Sequence, residues 1–249
     1  MIRVLAVKLT SCFGCLGELV YALTQSDIRD KFSVEYFTEI VDSDKINSAD
    51  IAFVEGSVTT RHQEELLKTV RSRVEFLVAL GTCALSGGVQ SLGVKSNLKS
   101  TEKTLFPVLQ LSILEEVKPV ESIVKVDFAI PGCPVSDNAL ISFLKKYSLG
   151  GLPVIIYESV CGECKRKGVP CILVSNRIPC LGPITLSGCG ALCPQLSRGC
   201  YGCYGLKFFD ITVENIRALE TKLRELGLRE SEFRRLLLAY GYKTYAEIR

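Results

Sequence analysis

Cysteine is the residue type of this 249-residue chain whose number and spacing point to chemistry. The chain has twelve cysteines, and eight of them are crowded between Cys161 and Cys203. The crowded eight read C-x2-C-x6-C-x8-C and, after eight further residues, C-x3-C-x6-C-x2-C. Soft thiolates at such short spacings select zinc, copper(I) or iron–sulfur clusters, and twelve are enough for three centres of four ligands. Disulfides are the competing interpretation, and the compartment of the protein decides between the two.

Composition and the N-terminal segment bear on that compartment. The net charge of +3 is too small to indicate a nucleic-acid partner or an anionic membrane surface. No apolar run approaches the roughly 20 residues of a membrane span, so we expect no transmembrane segment. The residues before Cys12 are interrupted by Lys8 and are too short and too charged for a secretory leader. We therefore expect a cytoplasmic protein, in which thiols stay reduced and a dense set of cysteines indicates metal.

The elements that must position these cysteines alternate between strands and helices over the first 150 residues. The strand at Ile2–Leu9 is apolar at nearly every position, which is typical of a parallel strand buried on both faces. The alternation predicts an α/β fold with a doubly wound parallel sheet. Further strands are predicted over Ser33–Phe37, Asp50–Glu55, Val74–Ala79 and Val126–Ile130, and helices over Leu16–Gln25, Arg61–Arg71 and Asn138–Lys146.

The four dispersed cysteines all follow predicted strands. Cys12 and Cys15 come after the first strand, Cys83 comes after the strand at 74–79, and Cys133 comes after the last one. In open α/β sheets, sites form beyond the carboxyl ends of the strands, where separate loops converge. We therefore expect these four cysteines to share one cluster. Glu55 ends a buried strand beside the same loops, and we predict an interface or hydrogen-bonding role for it.

The character of the chain changes after residue 150. The Gly150–Pro153 stretch has the composition of a hinge, so we predict one domain over 1–150 and a second over 151–249. The second domain is rich in Gly and Pro, and bound metal would have to supply much of its stability. It is predicted to end in helices at Val213–Leu226 and Glu232–Tyr240. From spacing alone, zinc sites and iron–sulfur clusters both remain open for the crowded cysteines.

Short motifs around the cysteines occur in a set order from about residue 3 to residue 203. Each motif alone is a weak signal, but the ordered set closely resembles the small, electron-transferring subunit of [NiFe] hydrogenases. The related quinone-reductase subunit of respiratory complex I is a poorer match, because its cluster carries adjacent cysteines and this chain has no Cys-Cys pair. The motifs are Cys12-Phe-Gly-Cys15, Val54-Glu55-Gly56-Ser57, Gly81-Thr82-Cys83-Ala84, Pro131-Gly132-Cys133-Pro134, Cys180-Leu-Gly-Pro and Cys200-Tyr-Gly-Cys203.

The resemblance implies a flavodoxin-like domain and an irregular C-terminal iron–sulfur domain with terminal helices. It implies three [4Fe–4S] clusters and no catalytic residue in this chain, since the nickel–iron centre of such enzymes lies in a separate large subunit. The implied ligands form three sets, which keep these names below. The proximal set is Cys12, Cys15, Cys83 and Cys133; the distal set is Cys161, Cys164, Cys171 and Cys180; the medial set is Cys189, Cys193, Cys200 and Cys203.

The chain departs from the exported members of that family. Cys161 stands where those proteins offer a histidine, and Cys193 gives the medial set a fourth thiolate. With the missing leader, these features resemble the cytoplasmic branch, and Cys161–Gly168 resembles the small (delta) subunit of NAD(P)-linked sulfhydrogenases. The resemblance implies electron relay from the large subunit to a NAD(P)- or sulfur-reducing partner with diaphorase-type flavin and iron–sulfur subunits. The basic run Lys165–Lys167 is either part of that docking surface or a solvated turn.

Two other functions remain open at this point. In the first, the chain is the small subunit of a hydrogenase that feeds a heterodisulfide reductase or a ferredoxin-type partner. The second belongs to a different class, a zinc-stabilised interaction module with eight structural cysteines. Metal analysis distinguishes these functions: iron and sulfide would support a hydrogenase subunit, and zinc without iron would support the interaction module.

Overall fold

The structure is a computed structural model that describes residues 1–42, 45–95, 112–154, 156–207 and 211–248. All twelve cysteines lie in these ranges. The chain divides into two compact units, Met1–Pro153 and Val154–Arg249. Within the described residues, no helix is long and apolar enough to cross a bilayer.

The first unit is built on a five-stranded parallel sheet. Its strands lie in the order β2-β1-β3-β5-β7, and each neighbouring pair is parallel. If these five are numbered in chain order, the arrangement is 2-1-3-4-5, the flavodoxin-like doubly wound order. The predicted fold class is therefore confirmed, and each predicted strand lies within two residues of an observed one. The sheet strands are β1 (Ile2–Lys8), β2 (Phe32–Tyr36), β3 (Ala49–Glu55), β5 (Val74–Leu80) and β7 (Phe128–Ile130).

Helices cover both faces of this sheet. On one face, α1 (Gly14–Leu23) and α4 (Asp137–Tyr147) share a hydrophobic cluster in which Phe53 and Phe143 are fully buried. On the other face, α2 (Arg61–Arg73) buries its apolar side chains against β1, β3 and β5. The short helix α3 (Gly81–Ser86) follows β5 directly, and a 3-10 helix follows it at Gly88–Lys95.

A two-stranded antiparallel ribbon was not predicted from the sequence. It pairs β4 (Val58–Thr60) with β6 (Ile113–Lys118). With only three residues, β4 is too short to show an alternating pattern. Its backbone leads directly into α2, which begins with a capping box between Thr60 and Gln63. The ribbon therefore fixes the start of that helix.

The second unit has no sheet among its described residues and is organised by five helices. Apolar side chains of α8 and α9 pack on Leu181, Ile184 and Leu206 from the cysteine-rich segment. The predicted end of a helix at Tyr240 agrees with the structure, because the helical backbone is broken at Gly241. Non-helical angles at Gly241 bend the helix where its backbone passes Leu206, and helical structure then continues. The helices are α5 (Val160–Arg166), α6 (Ile172–Ser175), α7 (Leu192–Gln195), α8 (Val213–Glu225) and α9 (Glu230–Ile248).

Candidate metal centres

The proximal set lies at the carboxyl edge of the parallel sheet. Cys12 follows β1, Cys15 lies in the first turn of α1, Cys83 lies in α3 and Cys133 follows β7. The thiols are close enough to influence one another electrostatically. Beyond the effect of burial, Cys133 and Cys12 raise the pKa of Cys83, and Cys83 and Cys133 raise the pKa of Cys15. The structure thus brings together four cysteines that are far apart in sequence.

Backbone hydrogen bonds tie the loops of this edge to one another. The Thr82 N–H donates to the Gly132 carbonyl at 2.8 Å, which joins helix α3, the carrier of Cys83, to the loop that carries Cys133. Thr10 and Ser57 exchange N–H···O bonds of 3.2 and 3.1 Å, which join the loops after β1 and β3. The Gln90 amide, in the 3-10 helix after Cys83, donates to the Thr10 carbonyl at 2.7 Å. These hydrogen bonds therefore fix the segments of the proximal set relative to one another.

Two glycines leave room for the thiols of the proximal set. Gly81 has φ +77°, and a Cβ there would lie 2.4 Å from Cys15 Sγ. Gly88 has φ +63°, and a Cβ there would lie 2.5 Å from Cys83 Sγ. Only glycine combines such backbone angles with so close an approach. Thiols that lie beside backbone without side chains fit a thiolate-bound cluster, which needs space around each sulfur.

Glu55 takes the place of a helix cap at this edge. Its buried carboxylate accepts the Leu16 N–H at 2.9 Å and the Cys15 N–H at 3.4 Å. Helix α1 has no cap of its own, because Phe13 at the cap position is left-handed and has no side-chain acceptor. Burial raises the pKa of Glu55 although these N–H groups oppose the shift. The predicted hydrogen-bonding role fits this geometry, because the carboxylate positions the turn that carries Cys15.

The distal set is gathered at α5 and the loops that follow it. Burial raises the pKa of Cys164 to about 11, with Cys161, Cys180 and Cys171 adding to the rise. Cys180 and Cys171 likewise raise the pKa of Cys161, after burial. Gly182 lies between two of these sulfurs, and a Cβ there would be 3.3 Å from Cys180 Sγ and 3.6 Å from Cys161 Sγ. All four members are thus mutual neighbours.

The medial set is less clearly separated. After burial, Cys203 contributes to the raised pKa of Cys200, but so does Cys180 of the distal set. The Cys200 N–H also donates to Cys180 Sγ at 3.2 Å. Cys193 acts on the pKa of Cys180, and Cys189 acts on a distal thiol. The two C-terminal sets therefore adjoin each other, and their division between Cys180 and Cys189 stays a prediction.

The chemical state of the thiols bears on whether these sites suit disulfides or metal. All twelve cysteines are free, so no disulfide links them. Burial raises the pKa of eight of the thiols above 9.0, to about 12 for Cys200, so they favour the protonated form until metal displaces the proton. Among the described residues, no three Cys, His, Asp or Glu side chains are arranged to hold a single ion.

Sequence reasoning missed two residues of these sites. Gln90 links the loop after Cys83 to the loop after β1 and lies beside a proximal thiol. Glu163 stands between Cys161 and Cys164, yet its carboxylate accepts N–H groups from the loop of the medial set. The signal for Glu163 was present, because an acidic side chain between two thiolate ligands requires donors to compensate its charge.

Comparison with known proteins identifies the family. Residues 12–147, more than half of the chain, match the family described as NADH ubiquinone oxidoreductase, 20 Kd subunit. Sulfhydrogenase 2 subunit delta of Pyrococcus furiosus is 38% identical over 204 residues, which are 80% of this chain and 84% of that protein. The chain belongs to this family, as a small subunit of the [NiFe] hydrogenase type. The resemblance drawn from the motifs is confirmed, and the chain is an oxidoreductase subunit.

Other hydrogenase proteins share similarity with this small subunit. An F420-non-reducing hydrogenase (vhu) subunit of Methanocaldococcus jannaschii is 31% identical, and the match covers 82% of each chain. The crystal structure of a NAD+-reducing [NiFe] hydrogenase in the H2-reduced state superposes with a TM-score of 0.57 at 26% identity, over 63% of this chain and 96% of that one. A Ni-Fe-Se hydrogenase of Desulfomicrobium baculatum shows the same fold, with a TM-score of 0.56 at 17% identity. The match covers 84% of this chain and 96% of that one.

Proposed function

We propose that this small subunit relays electrons through three [4Fe–4S] clusters held by its twelve cysteines. The observation that carries the proposal is the convergence of four sequence-distant thiols at the carboxyl edge of the sheet. A cluster bound by four thiolates supplies one-electron transfer with little ligand movement. We keep the proximal, distal and medial sets as its ligands, and we keep 1–150 and 151–249 as the domains that carry them.

The residues around each thiol have definite tasks in this function. Glu55 holds the turn of Cys15, and the loop-to-loop hydrogen bonds keep the proximal thiols at set positions. Main-chain N–H groups of Cys200 and Gly182 point at Cys180 Sγ, and such donors stabilise negative charge on sulfur. Cys180 and Cys200 are themselves buried, and the exclusion of water there raises the strength of these interactions. The protein thus fixes geometry and tunes potential.

A hydrogenase large subunit is the proposed partner at the proximal set. Cys12 is exposed, although its three partner thiols are buried or half-buried. Val89 and Leu92, in the 3-10 helix that follows Cys83, are also exposed apolar side chains. Exposed apolar residues beside a ligand set suit a covered surface. A cluster at this edge would need such a cover to be shielded from water.

For the electron acceptor we propose a NAD(P)- or sulfur-reducing partner with diaphorase-type subunits, in the cytoplasm. The sulfhydrogenase and NAD+-reducing hydrogenase relatives support this choice. The basic run Lys165–Lys167, which the sequence left open between a docking surface and a solvated turn, has two of its three side chains paired within this chain. Arg166 is bound by Glu158, and Lys167 donates to the Gly190 carbonyl at 2.7 Å, so docking through this run rests on Lys165. A hydrogenase that feeds a heterodisulfide reductase or ferredoxin-type partner stays the alternative.

Metal analysis of the anaerobically purified complex tests the proposal. We expect about twelve iron atoms and twelve acid-labile sulfides per small subunit, as three four-iron clusters require. Low-temperature EPR should show reduced clusters that interact with one another. Zinc without iron would instead support the interaction module and overturn the relay.

The division between the C-terminal sets needs its own experiment. Cys180→Ser should alter the EPR signal of the distal cluster alone, and Cys189→Ser should alter that of the medial cluster alone. Each variant is compared with the other, because both remove one thiolate from adjoining loops. If both variants change the same signal, the assignment of Cys180 and Cys189 to different clusters is wrong.

A further inference from the structure

The Glu163 carboxylate connects the helix of the distal set to the loop of the medial set. It is carried by α5, between two distal cysteines, but it turns towards the loop at residues 188–191. Its Oε1 accepts the Gly188 N–H at 2.9 Å and the Gly190 N–H at 3.2 Å. Its Oε2 accepts the Ala191 N–H at 3.1 Å and lies 3.8 Å from Cys189 Sγ. One side chain therefore binds the main chain on both sides of a medial ligand.

The loop adopts a shape that needs such an acceptor. Gly188 and Gly190 have φ of +125° and +66°, and Ala191 has φ of +55°. A left-handed alanine is strained, so this backbone requires compensation. Successive N–H groups that point into one concavity form an anion-binding nest, and a carboxylate is its natural occupant. Hydrogen bonds to a charged acceptor are also about twice as strong as neutral ones.

Simple packing does not explain a carboxylate at this place. The side chain is partly buried, and the distal and medial thiolates around it would carry negative charge when they bind iron. A neutral side chain of the same size would avoid that repulsion. The three N–H donors offset the repulsion, and they do so only for the loop shape that presents Cys189 beside α5.

We propose that Glu163 is the positioning residue that fixes the Cys189 loop against the helix of the distal set, and that its charge sets the potential of the medial cluster. The second half rests on the proposed function, because it requires a cluster at the medial set. The first half concerns the protein alone. Since α5 carries two cysteines of the distal set, the Glu163 side chain also fixes the Cys189 loop relative to those cysteines.

Three variants of the full complex test the proposal. Glu163→Ala removes the acceptor, Glu163→Gln keeps one oxygen but removes the charge, and Glu158→Gln is the matched control. Glu158 lies just before the same helix and is bound by the Arg166 side chain, while no main-chain N–H donates to its carboxylate among the described contacts. The measurements are hydrogen exchange of the peptide that covers residues 188–191, iron per chain, and midpoint potentials from EPR-monitored titration.

We expect Glu163→Ala to speed exchange at 188–191 at least tenfold and to lose about a third of the iron. Glu163→Gln should keep the iron but make the potential of one cluster more positive, because a lost negative charge favours the reduced form. Glu158→Gln should match the parent protein in all three measurements. Parent-like exchange in Glu163→Ala overturns the positioning role, and unchanged potentials in Glu163→Gln overturn the tuning role. A parent protein without iron refutes the proposed function and the tuning role together, while the exchange measurement still decides the positioning role.

Discussion

On the proposed function, replacing Gly81 with alanine should remove the proximal cluster, and the chain offers a matched control for it. Gly81 and Gly150 both have φ of +77°, so alanine meets the same backbone strain at either position. A Cβ at Gly150 would have no neighbour within 4 Å, whereas a Cβ at Gly81 would lie 2.4 Å from Cys15 Sγ. The difference between the two variants therefore reports the close contacts of the new Cβ, of which that with Cys15 Sγ is the shortest and that with the Gly132 carbonyl oxygen, at 3.1 Å, is the next.

The size of each effect follows from these contacts. Left-handed alanine destabilises the folded state by about 1–2 kcal/mol. Alanine also reduces the conformational freedom of the unfolded chain, which stabilises the folded state by about 0.4–1 kcal/mol. Gly150→Ala should therefore lower the unfolding free energy by about 1 kcal/mol. Gly81→Ala adds overpacking of about 1–3 kcal/mol. To restore an ordinary contact of 3.4 Å, Cys15 Sγ must move by about 1 Å. Metal ligands tolerate about 0.2 Å, so the shift exceeds what the site allows.

Both variants should be purified anaerobically with the large subunit and compared by urea unfolding and iron content. On the proposed function, Gly81→Ala should lose about four of about twelve iron atoms together with the proximal EPR signal, and Gly150→Ala should keep both. Gly81→Ala with full iron and an unchanged proximal signal would refute the reasoning. Equal iron loss in both variants would show that backbone strain, and not the contact with Cys15, is responsible.

Three further predictions concern the first unit. Burial favours a raised pKa for Asp127, but the Leu77 N–H and the Arg71 guanidinium outweigh it and hold the pKa below 3.8. Asp127→Asn should therefore lower the unfolding free energy by about 1–3 kcal/mol at pH 7. The difference in unfolding free energy between parent and variant should disappear below about pH 4, where the carboxylate is protonated. A difference that does not change with pH in urea unfolding contradicts this prediction. Phe143→Ala removes a fully buried aromatic ring and should lower the unfolding free energy by about 3–5 kcal/mol in the same assay. A loss of unfolding free energy below about 1 kcal/mol contradicts this prediction. Glu55→Ala leaves two N–H groups of helix α1 without an acceptor and should lower the unfolding free energy by at least about 2 kcal/mol. On the proposed function, it should also slow cluster loading. Stability equal to that of the parent protein would contradict the capping role of Glu55.

Much of the sheet was predictable because its signals are local. In β1, Val4–Val7 are buried and apolar without alternation, as a parallel strand covered on both faces requires. Once the strands were placed, the position of each proximal cysteine after a strand end predicted the edge where they meet. The start of α1 was misplaced by two residues, because its cap is supplied by Glu55, 39 residues away from Leu16.

The C-terminal unit was less predictable because its shape depends on contacts between side chain and main chain. Glu163 contacts Gly188, 25 residues along the chain, and no periodic pattern indicates that pairing. The break at Gly241 was predictable because glycine is a local helix-stop signal, whereas the close approach of its backbone to Leu206 was not.

The exposure of Cys12 at the sheet edge has a consequence for how the protein is made. The proximal thiols come from segments that follow β1, β5 and β7, so they meet only when the last sheet strand has joined. Closing such long loops is slow, and the C-terminal eight need only residues 161–203 to come together. On the proposed function, the proximal cluster is therefore inserted into a finished sheet, through the side where Cys12 is open. Cluster delivery must then precede docking of the large subunit, which closes that entrance.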